Sequence, residues 1–393
     1  MNYPMFTAEE VEIVSTVERF IEERVRPNVM ACERDSLYPQ AVVDEMKELG
    51  LFGLAVPEAF GGLGLRVPVF AAVMEVVSRG WTTLAAYLNS HSTVAHAIKT
   101  YGTDDQKRRY LPGLATGKHH ASLCLTEPGC GSDLQAIRAT ATDDGDHYRL
   151  TASKTYVTNG DRATLLLTLV KHPRDASEAK TRFSLLLVEK TFPGVQVTTT
   201  FHKMGMGLVD TVQIEMDNVP VPKENLVGLV EGKGFHHLFE SLEIGRIAIG
   251  ISAVGLAADA LSEAVRYASE RVTFGVTIDK HQAIQLKLAD MATKLVTARL
   301  LTMEAAWLKE GGGRCDMISA MAKLHASDAA LEVAHDAVRV HGGAGYIQDY
   351  AVERLYREAL LYTIGEGTND VNRIVISRRM SGAEERAYLG LVP

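Results

Sequence analysis

The chain is short of the features that usually settle a function quickly. Its four cysteines, Cys32, Cys124, Cys130 and Cys315, form no CxxC pair and sit beside no clustered histidines, so no metal site is expected. That usage suits a reduced, cytoplasmic-type compartment. Basic excess is missing: 41 Lys and Arg against 49 Asp and Glu leave a net charge of −8. With so few cations to neutralise phosphates, no nucleic-acid partner is expected, although a local basic patch stays compatible with a phosphorylated ligand. No apolar run nears the ~18 residues of a membrane span, so no membrane partner is expected either. The start, Met-Asn-Tyr-Pro-Met-Phe-Thr, lacks the basic and apolar blocks of a signal peptide. No repeat or low-complexity tract occurs. Gly342-Gly343-Ala344-Gly345 lacks the strand–GxGxxG–helix setting of a nicotinamide site.

What is present falls into three zones. Residues 1–120 read as helices. Thr7-Ala8-Glu9-Glu10 is a capping pattern ahead of Val11, Val14, Val17 and Ile21 at helical spacing. Further helices are expected over 40–49, 67–79, 84–100 and 104–115, interrupted by the glycine-rich loop 57–64. Residues 121–232 change period. Asp144-Gly145 is a turn signal, 165–170 and 184–188 are short apolar runs, and Val212, Ile214 and Met216 alternate with polar neighbours. Residues 233–393 return to helix, with Ile247, Ile251, Val254, Leu261 and Val265 in one stripe and Gly311-Gly312-Gly313 between two long helices. The expected fold class is α+β: an N-terminal α-helical domain, a middle β domain and a C-terminal helical bundle over those ranges.

Several runs carry chemistry. Glu366 lies in Tyr362-Thr363-Ile364-Gly365-Glu366-Gly367-Thr368-Asn369-Asp370, between glycines that let another molecule approach the main chain. It is placed to take a proton from carbon; a helix N-terminal acid is the plainer reading, since Val371, Ile374 and Val375 mark a helix after it. The run 123–133 packs hydroxyls and glycines closely, which suits a ligand edge or an ordinary tight turn. In Lys154-Thr155-Tyr156-Val157-Thr158-Asn159-Gly160, Tyr156 is either a stacking platform or a core aromatic. Arg271 suits a diphosphate or is a solvated arginine near a helix end. Gly342 to Gly345 is too glycine-rich for a helix interior and reads as a loop whose amides suit a nucleotide.

These runs, in this order and with this zoning, resemble the acyl-CoA dehydrogenase family from about residue 8 to residue 380. The resemblance makes the middle domain (121–232) β-barrel-like and the last (233–393) a four-helix bundle. It implies FAD as cofactor, an acyl-CoA substrate oxidised to the trans-2-enoyl thioester, an electron-transfer flavoprotein as acceptor, and a homotetramer that shares its FAD sites. Glu366 is then the catalytic base, with its pKa raised by burial. The cofactor residues implied are Leu123, Leu125, Thr126, Gly131, Ser132, Tyr156, Val157 and Thr158. To these the family adds Arg271, Phe274, Gln282, Arg339, His341, Gly342 and Gly343 from a neighbouring subunit, and Thr368 and Asp370 beside the base. The substrate residues implied are Ser132, Glu243, Arg246 and Gly367, with Tyr87, Leu88 and His91 on the pocket floor; no metal is implied.

The chain departs from the family in places. Some branched-chain members carry the base at the position of Gly245, and glycine there leaves the role to Glu366. Gly365 replaces a common tyrosine and opens space for branched or bulkier acyl groups. Tyr156 stands for tryptophan, Arg339 for glutamine, and Gly207 and Val209 for arginine and serine. Three rival readings remain: a dehydrogenase of carrier-protein thioesters, a flavin acyl oxidase, and a non-catalytic helical interaction protein on the same scaffold. Glu366 together with the flavin loops argues against the last.

Overall fold

The computed structural model describes residues 5–173 and 181–391. Thr7 closes a capping box on α1 (Ala8–Phe20): its hydroxyl accepts from the Glu10 amide, and the Glu10 carboxylate accepts from the Thr7 amide. Two otherwise orphaned donors are thereby satisfied. Val14 and Val17 face inward, but Val11 is exposed, because it sits on the opposite side of this first turn. α1 continues through a π turn at Ile21–Val25 into α2 (Arg26–Arg34). Four helices follow: α3 (Gln40–Glu48), α4 (Val67–Gly80), α5 (Thr82–Tyr101) and α6 (Asp104–Ala115).

The middle zone is one mixed, curled sheet. Its strands are β1 (Ala121–Cys124), β2 (Thr140–Asp144), β3 (His147–Thr158), β4 (Leu165–Lys171), β5 (Phe183–Glu189), β6 (Val195–Thr200) and β7 (Thr211–Pro222). β4 pairs antiparallel with β5 and parallel with β1, and the β2–β3–β7–β6 run is antiparallel. Asp144-Gly145 does make the β2–β3 turn, with Gly145 at a φ of 78°. The alternating Val212, Ile214 and Met216 are all buried. The β3–β7 register slips between Lys154 and Val157; such a bulge re-aims a side chain, here Tyr156 at a φ of 55°.

α7 (Gly234–Glu270) is the axis of the last zone. The hairpin β8 (Val272–Thr273) and β9 (Val276–Thr277) follows it, then α8 (Gln282–Glu310), α9 (Asp316–His341), α10 (Ala351–Ile364), α11 (Asn369–Arg379) and α12 (Ala383–Tyr388). α7 packs on α4, α5, α8, α9 and α10, and α9 presents Ala322, Ala326, Ala330 and Ala334 fully buried, so the helices approach closely. Three expectations need correcting. α7 is long and apolar enough, by composition, to cross a bilayer, yet 83% of its most apolar window is buried in the protein, as in a core helix. Its stripe also ends early, with Val265 48% exposed. Gly342–Tyr346 is a short 3-10 turn rather than an open loop.

One buried contact joins two zones and another braces the sheet. His91 on α5 accepts from the Ala121 amide of β1 through Nδ1 at 3.3 Å, and its Nε2 lies 3.1 Å from the carbonyls of Phe52 and Leu114. Burial pulls its pKa down to about 3, so it is neutral and purely structural. Within the sheet, Lys154 Nζ donates to Glu127 Oε1 at 2.9 Å and to the Leu125 carbonyl at 3.0 Å. Glu127 also accepts from the amides of Arg138 and Ala139. Removing one partner of a buried pair leaves the other charge uncompensated. Lys154→Met is therefore expected to destabilise the protein by about 3 kcal/mol. An unchanged urea midpoint would contradict this.

Candidate active site

Glu366 sits in the link between α10 and α11, at a φ of 52°, followed by Gly367 at 86°. A left-handed residue with a side chain carries roughly 1–2 kcal/mol of strain, so its surroundings must hold it. Thr368 caps α11, accepting from the Val371 amide at 3.2 Å. The Gly367 carbonyl accepts from Lys323 Nζ at 2.8 Å and from Asn372 Nδ2 at 3.0 Å. Lys323 also donates to Asn369 Oδ1 at 2.9 Å. It is completely buried, and burial pulls its pKa down to about 8, with Glu366 and Asp328 opposing.

The carboxylate points inward. Oε1 accepts from Asn89 Nδ2 on α5 at 2.6 Å, while Oε2 is fully buried with no hydrogen-bond partner. The residue keeps some exposed surface elsewhere, while Oε2 stays dry. Burial raises the Glu366 pKa above the ordinary carboxylate range; Asn89, Arg246 and Lys323 oppose the rise. Glu366 precedes the Thr368 cap and turns away from solvent, so it is not a surface acid opening α11. A Cβ built on Gly245 of α7 would overlap Glu366 Oε2 and lie 3.2 Å from Thr93 Oγ1. Positions 245 and 366 thus converge on one point in space, and only one of them can fill it.

Of the residues implied for substrate, Arg246 is buried and makes no hydrogen bond or ion pair among the described residues; its Nε is an orphan. The Glu243 carboxylate is committed to Lys309 Nζ at 2.8 Å and Cys315 Sγ at 3.4 Å. Ser132 is exposed, and the Gly367 carbonyl is taken by Lys323 and Asn372. Tyr87 and Leu88 are buried, with the Tyr87 hydroxyl donating to the Leu208 carbonyl at 2.8 Å. His91 is spent on the inter-zone contact, so it does not line the pocket. Asn89 on the same helix does reach the base, and Thr93 lies beside Gly245. Sequence reasoning missed them and Lys323. The available signals were a lone asparagine on a buried helix and a lone cation among the alanines of α9.

The residues implied for the cofactor divide into two groups. Ser122 Oγ donates to the Thr158 carbonyl at 2.8 Å, and the Thr155 amide donates to the Thr126 carbonyl at 2.9 Å. These bonds bring Leu123, Leu125, Thr126, Tyr156, Val157 and Thr158 to one sheet edge. Glu127 and Cys130 exchange backbone bonds, closing a tight turn that leaves Gly131 and Ser132 exposed. Tyr156 is 64% exposed, its ring 5.1 Å from that of Phe201, so it is no core aromatic. The Val157 side chain is core, which leaves only its backbone to face a ligand.

The second group lies at the far end of α7. Arg271 follows that helix and is exposed, with no ion pair among the described residues. Phe274 and Gly275, both at positive φ, turn the β8–β9 hairpin, and Phe274 is 98% exposed. Gln282 opens α8 in solvent. His341 stacks on Tyr267 at 4.3 Å with Nε2 buried and unpartnered. Gly342, at a φ of 60°, and Gly343 have open space where a Cβ would stand. Arg339 is exposed, 3.5 Å from Asp336; Asp370 belongs instead to the first turn of α11, close in the chain to the base, where it is exposed and 3.3 Å from Arg373. At 1.5 Å rise per residue, Arg271 is about 38 Å along α7 from Arg246, so this second group lies far from the base. Each half suits part of a flavin dinucleotide: an exposed ring among hydroxyls in one, an unpaired guanidinium beside open glycine backbone in the other.

A helical, β, helical chain with a dry carboxylate in its helical part has the makings of an enzyme site, and comparison with known proteins gives its family. Residues 7–118, 122–219 and 232–381 match the N-terminal, middle and C-terminal domains of acyl-CoA dehydrogenase. An acyl-CoA dehydrogenase of Bacillus subtilis is 38% identical over 377 residues, 96% of this chain and 99% of that protein. The caffeyl-CoA reductase-Etf complex subunit CarC of Acetobacterium woodii is 36% identical over 376 residues, 95% of this chain and 98% of that protein. The solved butyryl-CoA dehydrogenase of Megasphaera elsdenii superposes with a TM-score of 0.92 at 32% identity, covering 97% and 100% of the two chains. The chain belongs to the acyl-CoA dehydrogenase family, whose members are FAD-dependent oxidoreductases of the CH–CH bond.

The convergence at Gly245 is directly testable. Gly245→Ala is expected to displace the base and slow flavin reduction by acyl-CoA about 100-fold while FAD stays bound. Reduction at the unaltered rate in stopped-flow would show that the carboxylate does not work from this position.

Proposed function

We propose that the protein oxidises a short or branched acyl-CoA to its trans-2-enoyl-CoA with Glu366 as the base, and delivers the electrons to an electron-transfer flavoprotein. The observation that carries this is the Glu366 carboxylate, buried with one oxygen free. A carboxylate in water is a poor base for a carbon acid; one stripped of water, with its pKa raised toward the working pH, is a better one. Oε2 has no hydrogen bond to break before it accepts the α-proton. By resemblance to the family, the backbone amide of Glu366 would donate to the thioester carbonyl oxygen as charge develops. Arg246 and Lys323, both buried, keep the base region cationic and favour the charged form of the acid. FAD, when bound along the Tyr156–Thr158 edge, supplies the hydride acceptor.

Gly365 puts no side chain beside the base, which favours branched or bulkier acyl groups, while Gly245 leaves room for the carboxylate itself. The relative named as a caffeyl-CoA reductase-Etf complex subunit supports the choice of acceptor. The separation along α7, and Phe274 standing in solvent, support an assembly in which one chain completes another's FAD site. We take this assembly to be a homotetramer. The free thiols of the four cysteines fit a reducing compartment, which we take to be the cytoplasm.

Anaerobic mixing with butyryl-CoA, isobutyryl-CoA and glutaryl-CoA should bleach the flavin with at least one of them. Bleaching only by carrier-protein thioesters, or rapid peroxide release in air, would overturn the reading. The base works deprotonated and its pKa is raised, so the bleaching rate should rise with pH through a midpoint above the ordinary glutamate value of about 4.3. Glu366→Gln should lower the rate roughly 10²–10⁴-fold and abolish that limb. Light scattering should give about four times the 42.8 kDa chain mass, and Phe274→Asp should give smaller species that lose FAD. An FAD-loaded monomer would refute the shared site.

A further inference from the structure

Asn89 is the only side chain that hydrogen-bonds the Glu366 carboxylate among the described residues. It is 6% exposed and comes from α5, in the N-terminal zone, whereas the base comes from the link after α10. Its Nδ2 reaches Oε1 at 2.6 Å, and its own Oδ1 is buried without a partner. The amide therefore leaves one of its hydrogen-bonding positions unused in order to donate to this oxygen. We propose that Asn89 is a positioning residue for the base: it fixes the carboxylate on Oε1, leaves Oε2 as the proton-accepting atom, and holds the acid in its charged form in the absence of water. The proposal rests on the reading of Glu366 as the base.

The chemistry follows from the donor type. A side-chain amide donates to a carboxylate but gains nothing comparable from a carboxylic acid presenting its own proton, so it stabilises the charged state selectively. Burial pushes the Glu366 pKa up, and the Asn89 hydrogen bond is the largest influence opposing it, ahead of Arg246 and Lys323. Arg246 and Glu243 from α7, and Lys323 and Asp328 from α9, are the charged groups on the packed elements, with Asp316 and Cys315 beyond Arg246. None of them hydrogen-bonds the carboxylate. Lys323 acts instead on the backbone, through the Gly367 carbonyl. Direction and charge are therefore set by different residues: Lys323 holds the strained main chain, and Asn89 aims the side chain.

The test is the pH profile of single-turnover flavin reduction by the fastest acyl-CoA of the panel above, in FAD-loaded protein. A hydrogen bond to a charged group corresponds to about one to two pKa units, so Asn89→Leu and the smaller Asn89→Ala should move the midpoint up by about one unit or more. Asn89→Asp should move it further, because two adjacent carboxyl groups share a proton. The order wild type, Ala or Leu, then Asp is the expected signature. Substitutions that merely loosen the fold would lower the rate at every pH without moving the midpoint. An unmoved midpoint in the Ala, Leu and Asp variants overturns the proposal. If Leu and Asp fail to load FAD, the Ala variant alone decides, by the same midpoint. If Glu366→Gln keeps the wild-type profile, the base reading has failed; if it loses the limb while Asn89→Ala leaves the midpoint in place, only this inference has.

Discussion

A buried acid without its hydration shell is the constraint around which this molecule is arranged. Charge in a dry site is expensive, and Glu366 is further held at a left-handed backbone angle that a side chain disfavours. Neither condition can be met by the loop that carries it. The main chain is held from α9 and α11, by Lys323 and Asn372 on one carbonyl. The carboxylate is held from α5, and the room it needs is supplied by a missing side chain on α7. The two helical zones must be folded and docked before this one residue is placed, which gives a physical reason for so large a helical core.

The same logic explains the middle sheet. A flat ligand edge requires backbone and hydroxyls presented without burial, and the sheet does this at a bulge. Lys154 is sunk into the interior to hold Glu127 and the Leu125 carbonyl, and Tyr156, two residues on, is turned outward. A buried pair of this kind adds little net stability, but it fixes the relation between the turn at 127–130 and the strand at 155–158. At the other end of α7, an exposed phenylalanine and an unpaired arginine are poor surface for an isolated chain. They make sense as one half of a site completed by another copy.

Much of this was legible in the sequence, and the reasons differ by element. The Thr7–Glu10 capping box, the Asp144-Gly145 turn and the alternation at Val212, Ile214 and Met216 are local, so their outcome needs no tertiary knowledge. The importance of Glu366 was legible because flanking glycines are costly without a purpose. What was not legible depends on contacts between distant segments. Asn89 and Glu366 are 277 positions apart, and no periodicity joins them. The resemblance put His91, not Asn89, on the pocket floor; only the docking of β1 decides that His91 ties zones together while Asn89 reaches the base. The exposure of Val265 was hidden for the same reason: near its end α7 turns Ala264 and Ala268, not Val265, toward its neighbours.

The most direct measurement is infrared difference spectroscopy on mixing FAD-loaded protein with a reducing acyl-CoA. The account predicts that a protonated-carboxyl band appears as the flavin bleaches, shifts when the substrate carries α-deuterium, and vanishes in Glu366→Gln. Flavin bleaching with no such band, or with the same band in the variant, would contradict it.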